Sequence, residues 1–349
     1  MRHALLDPLR GLAALWVVGY HLACFAGEES PLGPRFFALG YFGVPMFFVI
    51  SGYCLTAAAR RALLTGQPPL PFLLRRMARI YPPLWAAILV AVAVYALGPA
   101  SWSRYTAAGW PSYSAADWLG VGLLTKTFQP TGELPWHKFQ PVNVAFWTLA
   151  IEVQFYLVVS LALFSGRWFY RTLIALTVVT SPFLLSPTAY VHAGFLPHWP
   201  FFALGMAVVA AREANVATVR SAWVPAVAAM AFGLWQAPAV PDGSSKMVAA
   251  EFLFAVGFAL AVWLSSSFPL PRLLQPLTFL GTISYSVYLL HVPLLMAGMD
   301  WAARVAEFGG VPWAVLVVGG VCAASVPFHY LFERPFVSAR RRPAPLAVP

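Results

Sequence analysis

Long apolar segments separated by short polar segments run along the whole chain. Segments long enough to cross about 30 Å of hydrocarbon lie near residues 6–26, 36–58, 80–98, 143–164, 168–186, 197–211, 223–240, 248–266, 279–298 and 312–331. The sixth segment is short, and a further apolar stretch at 116–125 is too short to span a bilayer, so we expect it at the membrane interface. The pattern predicts an all-α polytopic membrane protein, a bundle of about ten transmembrane helices.

The composition indicates what kind of partner the chain contacts. The 349 residues are 60% hydrophobic and only 10% charged, whereas soluble domains carry about 25% charged residues. The formal net charge of +10 would suit nucleic acid, but the basic residues cluster between apolar segments, as topology signals do. The predicted partner is therefore the lipid bilayer and not nucleic acid.

The basic residues are unevenly divided between the two sides of the predicted membrane. When the segments alternate in direction, 16 of the 22 Lys and Arg residues fall on one side and six on the other. The richer side is expected to face the cytoplasm. We therefore predict an N-in/C-in protein of the inner (cytoplasmic) membrane, with a transmembrane domain at 1–338 and a basic cytoplasmic tail at 339–349.

The longest region between spans, 99–142, is predicted to lie outside the cell and is rich in aromatic residues. Two interpretations stay open: an aromatic belt at the membrane interface, or a platform on which sugar rings stack. The aromatic residues are Trp102, Tyr105, Trp110, Tyr113, Trp118, Phe128, Trp136 and Phe139.

Three ionisable residues lie well inside predicted spans: His21, Glu152 and His291. A helix rise of about 1.5 Å per residue places all three near or just outside the midplane of a layer about 30 Å thick. Such groups are expensive in lipid and indicate function by default. A histidine oriented by a carboxylate is a general-base arrangement; the alternative is a set of polar contacts between helices.

Basic residues at the predicted cytoplasmic side form a second candidate feature. Arg75, Arg76 and Arg79 share a helix face through i,i+3 and i,i+4 spacing, and guanidinium groups match phosphate oxygens. Arg10 lies on the same side of the membrane, eleven positions and roughly 16 Å before His21. These arginines either bind a phosphorylated donor or anchor the helices to lipid phosphates.

The cysteines add no further chemistry. Cys24, Cys54 and Cys322 lie in separate apolar segments, without the spacing of a metal site or a redox pair, and are predicted to be small buried residues. No metal and no permanently bound cofactor is expected.

Six motifs, in order along nearly the whole chain, resemble the membrane-bound acyltransferase-3 family, whose members O-acylate surface polysaccharides, lipids and other acceptors. The motifs are Arg10 and His21 with ten residues between them, Gly43–Tyr53, Arg76–Arg79, Trp147–Tyr156, Ser284–Pro293 and Phe332–Pro335. The chain departs from the common pattern at Pro45, where many members have aspartate. It departs again at Thr148, where many have serine, although the hydroxyl is kept.

The resemblance implies transfer of an acyl group, acetyl from acetyl-CoA in the first instance, to a hydroxyl of a polysaccharide or glycolipid, such as exopolysaccharide or lipopolysaccharide. It implies that His21 is the general base with Glu152 as its partner. It also implies that arginines hold the donor's phosphates, and that further residues bind substrate. The arginines are Arg10, Arg76 and Arg79; the further residues are Asp7, Trp147, Tyr156, Ser284 and His291. Direct transfer and an acyl-enzyme both stay open.

Two other classes of function compete with this interpretation. Ten spans, ionisable groups near the midplane and helices interrupted by Gly and Pro also suit a proton-coupled secondary transporter. The spacing of Arg10 and His21 and the arginine cluster favour the enzyme. A non-catalytic membrane subunit is a third possibility, against which the ionisable groups in the spans argue.

Overall fold

The computed structural model describes residues 4–26, 34–98, 113–125, 142–186, 194–211, 223–237, 244–266, 269, 271–304 and 311–338. The structure is 91% helical, and no strand occurs in these ranges. The predicted fold class, an all-α polytopic membrane protein, is confirmed. The predicted tail at 339–349 and most of the region 99–142 lie outside the described residues.

Thirteen α-helices make up most of the described chain. They are α1 (Leu6–Ala26), α2 (Pro34–Ala38), α3 (Gly43–Leu64), α4 (Pro69–Leu97), α5 (Ala115–Gly122), α6 (Trp147–Ala162), α7 (Phe169–Thr180), α8 (Trp199–Ala211), α9 (Trp223–Gln236), α10 (Ser245–Ser265), α11 (Gln275–Arg304), α12 (Val311–Phe328) and α13 (Arg334–Ser338). Short 3₁₀ segments flank several of them, and a π-helical turn, His329–Glu333, joins α12 to α13.

Seven helical runs in the described ranges are long and apolar enough to cross a membrane. They are Leu6–Phe25, Phe36–Leu64, Pro69–Leu97, Val144–Leu184, Ser245–Ser265, Arg272–Gly298 and Trp313–Val337. Val144–Leu184 contains two of the ten predicted segments, because Gly166 (φ 53°) breaks the run between α6 and α7. Leu196–Ala211 and Ala226–Gln236 are shorter apolar helices. As far as the described residues reach, all ten predicted segments therefore coincide with helices, while the number of crossings and their orientation stay predictions.

Close packing of α1 against α11 fixes the register of the two helices that matter most for the site. A Cβ added at Gly281 would overlap the carbonyl oxygen of Asp7, and one at Gly11 would lie 2.8 Å from the carbonyl oxygen of Leu277. Glycine at these positions lets the two backbones approach. The contacts at this end and at the far end of α1 show that the two helices run parallel.

An aromatic cluster packs α3, α6 and α8 together. Phe48, Phe155 and Phe202 are all buried and lie in mutual ring contact. At the start of α6, Asn143 accepts a hydrogen bond from the Ala145 N–H (2.9 Å) and donates one to the Leu289 carbonyl of α11 (2.9 Å). The aromatic cluster and this tie hold α6 in a fixed position between α3 and α11.

The short apolar stretch at 116–125, which the sequence predicts to lie at the membrane interface, is largely helical in α5. Its N-terminus carries a capping box, in which Ser114 and Asp117 bond each other's backbone N–H groups. Its C-terminal end rests on α4, where the Trp85 Nε1–H donates to the Gly122 carbonyl (3.0 Å). Eight residues cannot span the bilayer, as predicted; its depth in the membrane stays a prediction.

Candidate active site

A pocket opens between α1, α3, α4, α6 and α11. It holds about 830 Å³ of empty space, part of it continuous with solvent. The lining residues are Arg10, Val44, Phe47, Phe48, Ser51, Cys54, Leu55, Arg76, Arg79, Ile80, Thr148, Leu149, Glu152, Tyr156, Ser284, Tyr285 and Tyr288. On each helix the lining residues repeat at helical spacing and so share one face. They are Phe47, Ser51 and Cys54 on α3, Thr148, Glu152 and Tyr156 on α6, and Ser284 and Tyr288 on α11.

One end of the pocket, here called the arginine end, is formed by Arg10, Arg76 and Arg79. Arg10 lies 3.6 Å from the carboxylate of Asp7 and donates to the sulfur of Cys54 at 3.7 Å. No hydrogen bond or ion pair joins Arg76 or Arg79 to another residue in the described ranges. Their N–H groups are thus available to an anion in the pocket.

Glu152 lies beside the arginine end, not beside a histidine. Its Oε1 accepts hydrogen bonds from the hydroxyls of Ser51 (2.8 Å) and Tyr156 (2.5 Å). Arg79 interacts electrostatically with Glu152 and Tyr156. Three guanidinium groups and one carboxylate line the pocket. Two further carboxylates act on this end, because Asp7 pairs with Arg10 and Glu333 interacts electrostatically with Arg79.

Two hydroxyls, those of Thr148 on α6 and Tyr288 on α11, meet in the pocket lining. The Tyr288 hydroxyl donates to the Ala145 carbonyl (2.8 Å) and lies 2.6 Å from Thr148 Oγ1. Because Thr148 supplies the hydroxyl here, its replacement of the family's common serine keeps this contact. The pair joins α6 to α11, and the Tyr288 ring packs against Phe47, which also lines the pocket.

Beyond Tyr288 lies the histidine pair, His21 and His291. Nδ1 of His21 is 3.2 Å from Nε2 of His291, and the ring centroids are 4.9 Å apart. His291 is fully buried on α11, one turn past Tyr288 and in line with the row that lines the pocket. On α1, eleven residues make about three turns, so His21 lies on the same face as Arg10. The arginine end and the histidine pair therefore lie along one line through the protein.

The structure brings six of the ten predicted site residues into the pocket lining: Arg10, Arg76, Arg79, Glu152, Tyr156 and Ser284. The predicted pairing of His21 with Glu152 is wrong, because His21 hydrogen-bonds His291 while Glu152 bonds Ser51 and Tyr156. The two residues are of similar depth along their helices, but they face different neighbours. Depth is readable from the sequence, whereas the rotation of one helix relative to another is not.

Three predicted substrate-binding residues, Asp7, Trp147 and His291, do not line the pocket, and neither does the predicted base His21. Asp7 contacts Arg10 at the pocket mouth. Trp147 points into the aromatic cluster, with its ring centroid 6.4 Å from that of Phe48 and 5.4 Å from that of His198. Trp147 therefore supports the α3–α6–α8 packing behind the pocket wall, and its direct contact with substrate stays a prediction.

Sequence reasoning missed several lining residues that have polar side chains. They are Ser51, Cys54, Thr148, Tyr285 and Tyr288. Thr148 is one turn from Glu152 and Tyr288 is one turn from Ser284, so helical spacing would have found these two. Tyr285 also donates to the Ile80 carbonyl (2.9 Å) and so ties α11 to α4.

A second buried polar network was also missed, although its motif was recognised. Glu333 Oε2 accepts from the Ser286 hydroxyl (2.6 Å) and lies 2.8 Å from His329 Nδ1. The π turn between Pro327 and Pro335, with the Arg334 N–H bonded to the His329 carbonyl, sets this geometry. Glu333 also interacts electrostatically with Arg79 of the arginine end.

Comparisons with known proteins show what the chain is similar to. Residues 3–330 match the family model of the acyltransferase-3 type, described as an acyltransferase domain. "Putative membrane-bound transacylase BcsY" of Komagataeibacter xylinus is 27% identical over 98% of this chain and 87% of its own length. "Protein 2 in picA locus" of Rhizobium radiobacter is 38% identical over 95 residues, 27% of this chain and 46% of that protein. No solved structure matches the chain significantly.

The family match covers nearly the whole chain, and it spans all five helices of the pocket together with both members of the histidine pair. The match also decides between the competing classes of function, in favour of the enzyme over the transporter and the non-catalytic subunit. The chain therefore belongs to the acyltransferase-3 family and is a multi-pass membrane O-acyltransferase.

Proposed function

We propose that the protein transfers an acetyl group from acetyl-CoA to a hydroxyl of a cell-surface carbohydrate or glycolipid, in the inner (cytoplasmic) membrane. The observation that carries the proposal is the arginine end, where guanidinium groups from α1 and α4 converge on one pocket. The sequence pattern alone allowed these arginines to be lipid anchors. Arginines that line a protein-walled pocket and keep unused donors fit a bound phosphorylated ligand better.

The chemistry of coenzyme A fits the residues that line this pocket. Its diphosphate and ribose phosphate suit the arginine end, because guanidinium forks bind phosphate oxygens through paired hydrogen bonds. Its pantetheine arm is long and uncharged, and it can lie along the uncharged lining residues such as Leu55 and Phe47. With the phosphates at the arginine end, the thioester points toward Tyr288 and the histidine pair.

In the proposed reaction His21 is the general base. The acceptor hydroxyl loses its proton to His21 as its oxygen attacks the thioester carbonyl carbon. A C–O bond forms, the C–S bond breaks, and His21 returns the proton to the departing sulfur, which leaves as the CoA thiol. A positioned base of this kind typically contributes about 10²–10⁴-fold in rate. The same groups serve an acyl-enzyme route if the first acceptor is a protein nucleophile.

Glu152 has a different part in this scheme from the one expected from sequence. It bonds Ser51 and Tyr156 and lies close to Arg79, so it acts on the donor side. We assign to it the positioning of the arginine end, not the orientation of His21.

Purified protein in lipid nanodiscs, given radiolabelled acetyl-CoA, tests the donor assignment. We expect release of CoA thiol and, with membranes of the source cells as acceptor, covalent label in a glycan or glycolipid fraction. Protein that neither hydrolyses nor transfers the label would contradict the proposal. Proton-coupled flux in sealed vesicles under the same conditions would then favour the transporter.

The acceptor is tested separately in cells. Mass spectrometry of surface glycans and glycolipids, with and without this chain, is expected to show one species that gains the mass of an acetyl group. Cells that express His21→Gln at equal membrane abundance are the matched control and should lack that species. An acetylated species that persists in the control cells would contradict the assignment.

A further inference from the structure

His291 lies in a position where both of its ring nitrogens are engaged. Nδ1 lies 2.7 Å from the Tyr288 carbonyl oxygen, and Nε2 lies 3.2 Å from Nδ1 of His21. His291 is fully buried. Nδ1 of His21 also lies 3.1 Å from the Val17 carbonyl oxygen.

These contacts assign the protons of both rings. A carbonyl oxygen only accepts, so the proton of neutral His291 must be on Nδ1, and its Nε2 is then an acceptor. The nitrogen that faces this acceptor, Nδ1 of His21, must carry the proton, which it shares between His291 and the Val17 carbonyl. Neutral His21 therefore has its free lone pair on Nε2.

We propose that His291 is the positioning residue of the reaction, a neutral acceptor that holds His21 in the Nδ1–H tautomer and leaves Nε2 as the base. When Nε2 takes a proton, the Nδ1–H of the imidazolium keeps its acceptor. His291 thus does for His21 what an orienting carboxylate does in many hydrolases. This role rests on the proposed function of His21 as the base.

A neutral partner suits this location better than a carboxylate does. An additional fixed charge inside the membrane is costly, and the pair stays uncharged until a proton is transferred. His291 itself cannot exchange roles with His21 while its Nδ1–H remains bonded to the Tyr288 carbonyl. The two histidines are therefore not interchangeable, which is the property that experiments can test.

The kinetic test compares two substitutions of His291. In His291→Gln the amide oxygen can still accept from Nδ1–H of His21, whereas His291→Leu offers no acceptor. For Leu we expect kcat to fall roughly 10–100-fold, as is typical when the orienting partner of a functional histidine is lost, with an unchanged KM for acetyl-CoA. For Gln we expect kcat within a few-fold of wild type. Monodisperse elution and retained donor binding confirm that each variant is folded.

The spectroscopic test reads the tautomer directly. In ¹⁵N-histidine protein in nanodiscs, the signals that disappear in His21→Gln belong to His21. We expect a protonated Nδ1 and a bare Nε2 for His21, and a protonated Nδ1 for His291. This measurement needs no turnover, so it does not depend on the acceptor.

Three results would overturn the proposal: a protonated Nε2 on resting His21, full kcat in folded His291→Leu, or equal losses in the Gln and Leu variants. The proposed function fails by a different result, namely normal transfer by His21→Gln. If His21→Gln is inactive and folded His291→Leu is fully active, only the positioning role of His291 is lost.

Discussion

The arginine end and the histidine pair of this enzyme are built in opposite ways. At the arginine end, Arg76 and Arg79 make no hydrogen bond to other described residues, and the pocket is partly continuous with solvent. In the histidine pair, three of the four ring nitrogens already face a protein partner, and His291 is fully buried. One region keeps its donors free for a ligand, and the other has its geometry fixed before any ligand arrives.

This difference assigns donor binding to the arginine end and the chemical step to the histidine pair. Interactions that are equally strong in the ground state and the transition state set KM, whereas groups preorganised for the transition state set kcat. Changes at the arginine end should therefore appear mainly in donor affinity. Changes at the histidine pair should appear mainly in turnover.

The largest expected effect is that of His21→Gln. Gln keeps a similar size and a hydrogen-bonding group but cannot act as an effective base near neutral pH, so transfer should fall by about 10²–10⁴-fold. Donor affinity should stay at the wild-type value, because His21 lies beyond the pocket lining. Acetyl transfer and acetyl-CoA binding, both measured at matched membrane abundance, check the prediction.

A matched control for this variant is His198→Gln. His198 is also a buried histidine, but it lies in the aromatic cluster against Phe48 and Trp147. It should keep wild-type turnover per folded molecule. Near-normal transfer by His21→Gln would remove His21 from the mechanism.

The two regions also differ in how far the sequence predicts them. Arg10, Arg76 and Arg79 could be assigned to one site because charge in a largely apolar chain is conspicuous and i,i+3 spacing fixes a shared face. Both histidines were found for the same reason. The fold class followed from the apolar segments, whose periodicity and length leave few alternatives.

The partner of His21 could not be found in this way. Depth along a helix follows from residue count, but the neighbour of a side chain depends on helix rotation and on which helices touch. The contact of α1 with α11 is set by Gly11 and Gly281, two residues with no side chain to attract attention. Glu152 has a suitable depth, but its face of α6 points to Ser51 of α3.

The next effect in size is that of the double substitution Arg76→Gln, Arg79→Gln. Hydrogen bonds to charged groups contribute about 1.5–3 kcal/mol, so acetyl-CoA affinity should fall by roughly 10–100-fold, with a smaller change in kcat. Acetylpantetheine has no phosphates, so its KM should be the same in wild type and variant. Steady-state kinetics with both donors measures the difference.

Arg171→Gln serves as the control for this pair, because Arg171 stacks on Trp168 (4.4 Å) away from the pocket. It should leave both donors unaffected. Unchanged acetyl-CoA affinity in a folded double variant would mean that the arginines are only topology anchors. Equal losses for both donors would mean that they do not contact the phosphates.

A smaller effect is expected for Glu152→Gln. This variant distinguishes the two roles considered for the carboxylate, partner of His21 or positioning group of the arginine end. The hydrogen bonds from Ser51 and Tyr156 would persist on a neutral acceptor, and such bonds are about half as strong as bonds to a carboxylate. Turnover should fall by less than about tenfold, and the pH midpoint of kcat should not move, because Glu152 does not contact His21. A shift of that midpoint to lower pH would mean that Glu152 acts on His21 after all, because losing a nearby carboxylate lowers the pKa of a histidine.

The smallest effect is expected for Asp7→Asn, at the mouth of the arginine end. Asp7 and Arg10 are partly exposed, at 28% and 18% of their side chains, and their charged atoms are 3.6 Å apart. Ion pairs of this kind contribute about 0–1 kcal/mol, and here Asp7 competes with donor phosphates for Arg10. Acetyl-CoA affinity should therefore rise slightly, by less than about fivefold, and the gain should shrink in high salt because exposed charges are screened. A loss of tenfold or more, at any salt concentration, would show that Asp7 itself binds substrate, as its motif suggested. Such a loss would also mean that the arginine end, like the histidine pair, depends on a group that is fixed in place before the ligand binds.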